Sequence, residues 1–315
     1  MGQPPAAAGP IVLTGATGFV GRRLQAALLD AGFTVRAVLR PRSRHSGQIL
    51  SGCEAIPVEL TDRAGLGRAV AGASAVIYCA GSVRGRVADD FRPANVHGVH
   101  QLAAALAGRE PPVPFLLVSS LAASRPELSD YARTKFEGEQ VLRQWPALPW
   151  TVLRPPALYG PGDVEMRPVL ALLRRGFAPV TGPRHQRLSL LHVDDFATAV
   201  LAWLARPDAC RHRCFELHDG TPGGYDWPGL GRAVATHEVR LLPVPPLVLR
   251  TAAMLNWLLS FALRYAPMLT PGKARELRQE SWVADNLAFE EATGWTPAIQ
   301  LAEGAARLFD GSVRD

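Results

Sequence analysis

Short apolar runs, separated by stretches of helical period, organise the first half of the chain. They are Ile11 to Leu13, Phe33 to Leu39, Glu54 to Val58, Ala75 to Cys79, Phe115 to Val118 and Thr151 to Leu153. Strands that read as continuous apolar runs are buried on both faces, and their alternation with helices argues a parallel sheet covered on each side. The pattern predicts an α/β fold with a doubly wound, Rossmann-like parallel sheet. Ligands of such sheets bind beyond the carboxyl ends of the strands, so the residues just after each run are the candidates for function.

After Asp163 the pattern changes. Val164 to Arg175 reads as a helix and Leu188 to Val193 as a strand returning to the first sheet. Asp194-Asp195 reads as the N-cap of a helix to Leu204. From Gly224 the chain predicts a smaller, mostly helical region. There Leu247, Val248, Leu249, Met254, Leu255, Trp257, Leu258, Leu259 and Phe261 make one helix apolar around much of its circumference. Burial against the main domain or against a second subunit, as in a homodimer, would use that surface. A pocket for a lipophilic substrate or peripheral contact with a membrane would use it too. Its uncharged run, Thr251 to Leu263, is 13 residues, short of the ~18 wanted by a spanning helix, so no membrane span is expected.

The turn after the first run is Thr14-Gly15-Ala16-Thr17-Gly18-Phe19-Val20-Gly21. Glycines admit positive φ and let backbone N–H groups approach a pyrophosphate, which the following helix start also favours. Gly15, Thr17, Gly18, Phe19 and Val20 are therefore candidates for binding a dinucleotide. Arg40, after the second run, suits a 2′-phosphate and favours NADP, with NAD as the alternative. In Glu59-Leu60-Thr61-Asp62, Leu60 and Asp62 stand near a prospective adenine site, and Asp62 would equally cap the helix from Arg63. Ala80 and Gly81, after the fourth run, permit close backbone approach to a ligand. These placements assign 1–163, with 188–219 returning, to a dinucleotide-binding domain. Residues 164–187 and 220–315 are assigned to a substrate-binding region.

Composition narrows the class. The chain has 315 residues, 48% hydrophobic and 20% charged, as a folded globular protein does. Its net charge of +6 comes from scattered arginines without interleaved aromatics, so no nucleic-acid partner is expected. The four cysteines, Cys53, Cys79, Cys210 and Cys214, are too few and irregular for a disulfide framework. Together with the lack of a signal peptide they fit a reducing cytoplasm. Cys210, His212, Cys214 and His218 match no zinc spacing, and no metal is expected.

Lysine occurs only at positions 135 and 273, so Lys135 four residues after Tyr131 is informative. On a helix the two share a face. A neighbouring ammonium lowers a phenol's pKa, which would let Tyr131 exchange a proton with a substrate oxygen while hydride moves at a nicotinamide. Ser119 or Ser120, at the end of the fifth run, would hold the same oxygen.

Together these segments resemble the extended short-chain dehydrogenases/reductases of the epimerase/dehydratase type. The matching motifs are TGATGFVG at 14–21, NVHGV at 95–99, VSSLAA at 118–123, YARTK at 131–135, LRPPALYGPGD at 153–163 and HVDDFA at 192–197. The resemblance implies Tyr131 as acid/base, with Lys135 lowering its pKa and holding the nicotinamide ribose. It implies Ser120, or Ser119, on the substrate oxygen, Asn95 in the active-site network, and backbone from Pro155 to Ala157 beside the nicotinamide. The segment between Ser120 and Tyr131 is short for the family. Glu59 stands where an adenine-binding aspartate is usual, and Arg40 argues against the NAD of the sugar epimerases. Arg187 lies near the place of a diphosphate-binding arginine, with imperfect spacing.

The expected function is oxidation or reduction between a secondary alcohol and a ketone on a bulky, sterol-like small molecule. Leu269 to Lys273 and Gly294 to Pro297 resemble members acting on such carbonyls. The alternatives are a nucleotide-sugar epimerase, dehydratase or reductase, and a non-catalytic dinucleotide-binding subunit.

Overall fold

A computed structural model describes residues 9–42, 46–235 and 237–309. The strands are β1 (Ile11–Thr14), β2 (Val35–Leu39), β3 (Cys53–Pro57), β4 (Ala75–Tyr78), β5 (Phe115–Val118), β6 (Trp150–Arg154) and β7 (Ala157–Tyr159). They continue with β8 (Phe177–Val180), β9 (Arg187–Leu188), β10 (Leu190–His192), β11 (Arg213–Glu216), β12 (Arg240–Pro243) and β13 (Ser281–Trp282). The helices are α1 (Phe19–Asp30), α2 (Arg63–Ala69), α3 (Ala88–Arg92), α4 (Gly98–Leu106), α5 (Asp130–Arg143) and α6 (Arg167–Arg174). After them come α7 (Val193–Ala205), α8 (Trp227–Val234), α9 (Pro246–Leu263), α10 (Pro271–Leu277), α11 (Leu287–Thr293) and α12 (Leu301–Phe309).

Seven parallel strands form the central sheet in the order β11-β6-β5-β4-β1-β2-β3. All four residues of β1, β4 and β5 are buried, because helices cover both faces. One core layer packs Leu24, Leu28, Phe196 and Trp203 against the sheet, and the other packs Leu66, Val99, Leu102 and Leu142. The order reverses direction between β1 and β4, so their connections leave on opposite faces and a crevice opens between their carboxyl ends.

Two expectations are corrected. Residues 188–193 do not rejoin the central sheet: β9 pairs with β13, and β10 pairs with β7. The strand that does close the sheet is β11, on the edge beside β6. The aspartate pair is not the cap of α7 either. His192 holds the N-cap position and accepts from the Asp194 N–H. Asp194 instead pairs with Arg23 at 2.5 Å, while the buried Asp195 carboxylate accepts from the N–H groups of Ala298 and Ile299, tying the C-terminal segment to α7.

Helix α9 is 18 residues long with a mean hydropathy of 1.4, and 17% of it is buried. It extends beyond the uncharged run through Arg250, and by length and composition alone it reaches the minimum for a membrane span.

Candidate active site

The glycine turn sits at the crevice. Gly15 has φ +67°, and a Cβ there would lie 2.6 Å from the backbone of Cys79 and Ala80. A Cβ at Gly21 would lie 2.1 Å from the Gly15 carbonyl oxygen. The two glycines therefore let β1, the start of α1 and the end of β4 converge. Gly18 caps α1 with no side-chain acceptor, and no acid lies in the first helical turn. The opening N–H groups and the positive end of the helix dipole are left for an external anion. Thr14, buried, accepts from the Ala80 N–H at 3.1 Å and locks the two strand ends together. These features fit a dinucleotide pyrophosphate. Arg40 is exposed just past β2, and Asp62 caps α2 by accepting from the Gly65 N–H. Leu60 lies against Gly98, where a Cβ would come within 3.2 Å of it.

On the other side of the crevice stand the acid/base candidates. Ser129 caps α5, and Tyr131 and Lys135 follow on successive turns of that helix. Lys135 is buried and donates to the Val118 carbonyl at 2.8 Å, which fixes its ammonium at the end of β5. Burial lowers its pKa to about 8, against the pull of Cys79 and Glu139. Asn95 lies in a π-helical turn, Pro93–His97, and is buried. Its side chain accepts from the Ser82 N–H and donates to the Ser82 carbonyl and the Thr134 hydroxyl. Gly138 makes this approach feasible, since a Cβ there would lie 2.1 Å from the Asn95 carbonyl oxygen. Gly81 brings the backbone after β4 to the same place: a Cβ on it would be 3.3 Å from Asn95 Oδ1 and 3.5 Å from Lys135 Nζ. The Pro155 carbonyl accepts from the Leu121 N–H, holding the chain after β6 against the short helix that Ser120 caps.

The two serines separate. Ser119 is buried and donates to Glu139 at 2.5 Å, and Glu139 also takes a two-pronged ion pair from Arg154 at 2.6 and 2.9 Å. Ser120, in contrast, interacts with Tyr131. Tyr131 departs from expectation in one respect. Its pKa is raised to about 12 by desolvation, with the negative charge of Glu276 adding to the rise and the Ser120 hydroxyl opposing it. Lys135 directs its ammonium at the Val118 carbonyl and does not lower the phenol. Burial thus favours the protonated form of the phenol.

Beside Tyr131 a cavity of about 300 Å³ is lined by apolar Val83, Val87, Phe91, Met254, Trp257 and Met268 and by polar Arg86, Ser129, Lys273, Arg275 and Glu276. Sequence reasoning missed Glu276. It is buried, receives the Ser129 hydroxyl and pairs with Lys273 at 2.8 Å. The Lys273/Glu276 spacing marks an ion pair on α10 and gives no sign of the contact with Ser129. Arg187 is not among the lining residues; it lies in β9, with its guanidinium on the Gly224 carbonyl. A larger hollow of about 880 Å³, between 218–223 and 283–303, contains none of the candidate groups. Among the described residues no group of three His, Cys, Asp or Glu side chains is arranged to hold a metal ion.

A doubly wound sheet with a phosphate turn at its switch point and a Ser-Tyr-Lys set across the crevice defines an NAD(P)-dependent oxidoreductase. The chain belongs to the NAD dependent epimerase/dehydratase family, whose sequence profile matches residues 11–215. It is 33% identical over 308 residues to a ceramide reductase of Caulobacter vibrioides, covering 96% of this chain and 94% of that one. It is 27% identical over 333 residues to a 2-alkyl-3-oxoalkanoate reductase of Stenotrophomonas maltophilia, covering 95% and 98%. In fold it is similar to the UDP-glucuronic acid 4-epimerase of Bacillus cereus, with a TM-score of 0.70, 17% identity and coverage of 96% and 98%.

Proposed function

We propose that this enzyme reduces the ketone of a long-chain, lipid-like substrate to a secondary alcohol, with NADPH preferred. The observation that carries this reading is the place of Tyr131, with Ser120 beside its hydroxyl, on a cavity that Val83, Val87, Phe91, Met254, Trp257 and Met268 help to wall. A phenol poised to give a proton suits reduction, because the ketone oxygen gains negative charge as the carbonyl carbon is reduced. The Tyr131 hydroxyl donates its proton to that oxygen and Ser120 donates a hydrogen bond to it. Lys135 supplies a fixed positive charge one turn further along α5, and Asn95 holds the Ser82 segment and α5 in register. The reduced nicotinamide, when bound, supplies the hydride; Gly15, Thr17, Gly18, Phe19 and Val20 would hold its phosphates and Arg40 the 2′-phosphate. In this reading 1–163, closed by the edge strand β11, serve the cofactor, and 220–315 supplies Met254 to Glu276 to the substrate cavity, opposite Val83, Val87 and Phe91.

The names of the relatives agree in type. One is a ceramide reductase and another a 2-alkyl-3-oxoalkanoate reductase. A third, of Stigmatella aurantiaca and 30% identical over 232 residues, is a ketoreductase of a farnesyl-bearing dihydroquinoline oxide. Two of these names print a 3-oxo group on a chain-bearing molecule and the third a lipid, which favours a chain-bearing ketone over the sterol-like substrate. A nucleotide sugar is less favoured because the arginines near Tyr131 are engaged, Arg86 with Asp90 and Arg275 with the Leu128 carbonyl.

The test follows nicotinamide absorbance with NADPH and NADH on long-chain 3-oxo amides, 3-oxo esters and nucleotide sugars. Turnover of the long-chain ketones is expected to fall about 10²–10⁴-fold in Tyr131→Phe. Ser120→Ala is expected to lose about 10²-fold, and Ser119→Ala to keep the parent rate while losing stability. Turnover of nucleotide sugars alone, or equal losses for the two serines, would overturn the reading.

A further inference from the structure

Helix α9 has two apolar faces where a helix on the outside of a protein ordinarily has one. Leu249, Ala253 and Ser260 are buried, and the first two pack with Ala274 of α10. On the other face Leu247, Val248, Met254, Leu255, Leu258 and Leu259 are each 44 to 72% exposed. Their spacing, continued by Thr251 and Ala262, places them on one stripe along the full length of the helix. Isolated exposed leucines need no explanation, but a continuous stripe marks an interaction surface.

The charges around the stripe point to its partner. Between Glu238 and Glu276 the chain contains no acidic residue; of the cations there Arg250 lies on α9 and Arg264 at its end, while Lys273 pairs with Glu276 and Arg275 donates to the Leu128 carbonyl. Arg250 and Arg264 are exposed, and Arg250 borders the stripe beside Met254 and Phe261. At the same edge Arg86, with its guanidinium 5.3 Å from the Phe261 ring centroid, is already paired with Asp90. An apolar helix face that carries Arg250 and Arg264 and no acid of its own is complementary to an anionic lipid surface. The buried side of α9 also fixes its attitude. Packing on α10 and the hydrogen bond from the Trp257 indole N–H to the Arg86 carbonyl at 2.8 Å lay the helix along the flank of the protein. It can therefore enter a bilayer only edge-on, to the depth of its side chains.

We infer that the exposed face of α9 docks the enzyme on the surface of an anionic phospholipid bilayer, with the mouth of the Tyr131 cavity turned toward the lipid. Met254 and Trp257 belong both to α9 and to the cavity wall, so a chain withdrawn from the bilayer passes along α9 to reach the phenol. The docking stands on the helix alone; the delivery of substrate from the bilayer rests on the lipid-ketone reading above.

The experiment is flotation of the full chain with vesicles of phosphatidylcholine alone and of phosphatidylcholine mixed with phosphatidylglycerol, without substrate or cofactor. Binding to the anionic vesicles is expected, weakened by salt and by about fivefold for each of Arg250→Glu and Arg264→Glu. The double variant Leu255→Glu/Leu258→Glu is expected to lose about tenfold or more. Both leucines are exposed and outside the cavity, so this variant should reduce a short, water-soluble ketone at the parent rate while losing its preference for vesicle-borne substrate. Failure of the parent protein to float with anionic vesicles overturns the docking. So does a stable dimer in sedimentation that the leucine double variant dissociates, since a second copy would then cover the stripe. Flotation is read without turnover, so a failure of the ketone reading leaves the docking result intact.

Discussion

At the scale of single residues, Tyr131 and Lys135 are displaced in opposite directions by one cause. Both are buried, and burial disfavours charge, so the phenol rises to about 12 and the ammonium falls to about 8. At neutral pH this leaves a protonated donor beside a charged lysine. As pH increases, Lys135 loses its proton first: its charge is fully present well below about 8 and is lost above it, while Tyr131 stays protonated to about 12. The logarithm of kcat/KM for ketone reduction should therefore be flat below about pH 8 and fall above it through a single deprotonation. An activity unchanged up to pH 10 would assign the ammonium no part in reduction. The spacing of Tyr131 and Lys135 was legible because it is local to one helix. Glu276 was not, because it reaches Ser129 across 147 positions of the chain and adds to the rise of the phenol from α10. Helical periodicity carries no information about such a pairing.

At the scale of elements, close approach depends on glycine at a few defined points. Gly21 is the sharpest case, because a Cβ there would meet the backbone of the turn, 2.1 Å from the Gly15 oxygen and 2.8 Å from Ala16 Cα. Neither neighbour can rotate away as a side chain would, so Gly21→Ala must shift α1 from the end of β1. An overpacking cost of about 1–3 kcal/mol is expected in chemical denaturation, with weaker NADPH binding by fluorescence titration. Gly18→Ala is the control, since its nearest neighbour is the Gly15 oxygen at 3.3 Å, and it should cost less on both measures. The buried strands announced themselves because continuous apolar runs have no other use in a sheet covered on both faces. The edge strand β11 did not: only Phe215 of its four residues is buried, since an edge needs little apolar surface. The segment 188–193 is apolar enough for either sheet, and its choice of β7 and β13 is made by tertiary contacts that no local pattern records.

At the scale of the whole molecule, the Tyr131 cavity is a seam between the α/β body and the C-terminal helices. Three contacts close it: the Trp257 indole N–H on the Arg86 carbonyl at 2.8 Å, Arg275 on the Leu128 carbonyl at 2.8 Å, and the Ser129 hydroxyl on Glu276. The last two hold α10 against the start of α5, whose next turn carries Tyr131. The first holds α9 against the segment before α3, where Val83 and Val87 form the facing wall. Loosening the α9 side should change how the chain of the substrate is gripped and leave the proton donor where it is. Trp257→Phe keeps an aromatic ring near Phe261, whose centroid is 5.1 Å away, but removes the donor to Arg86. Losing one such hydrogen bond costs about 1 kcal/mol, or roughly fivefold in an equilibrium. The expected outcome is a KM raised about that much for long-chain ketones, with kcat retained and short ketones unaffected. If kcat fell instead, at unchanged KM, Trp257 would be acting on the position of Tyr131, and the two sides of the seam would have to move as one.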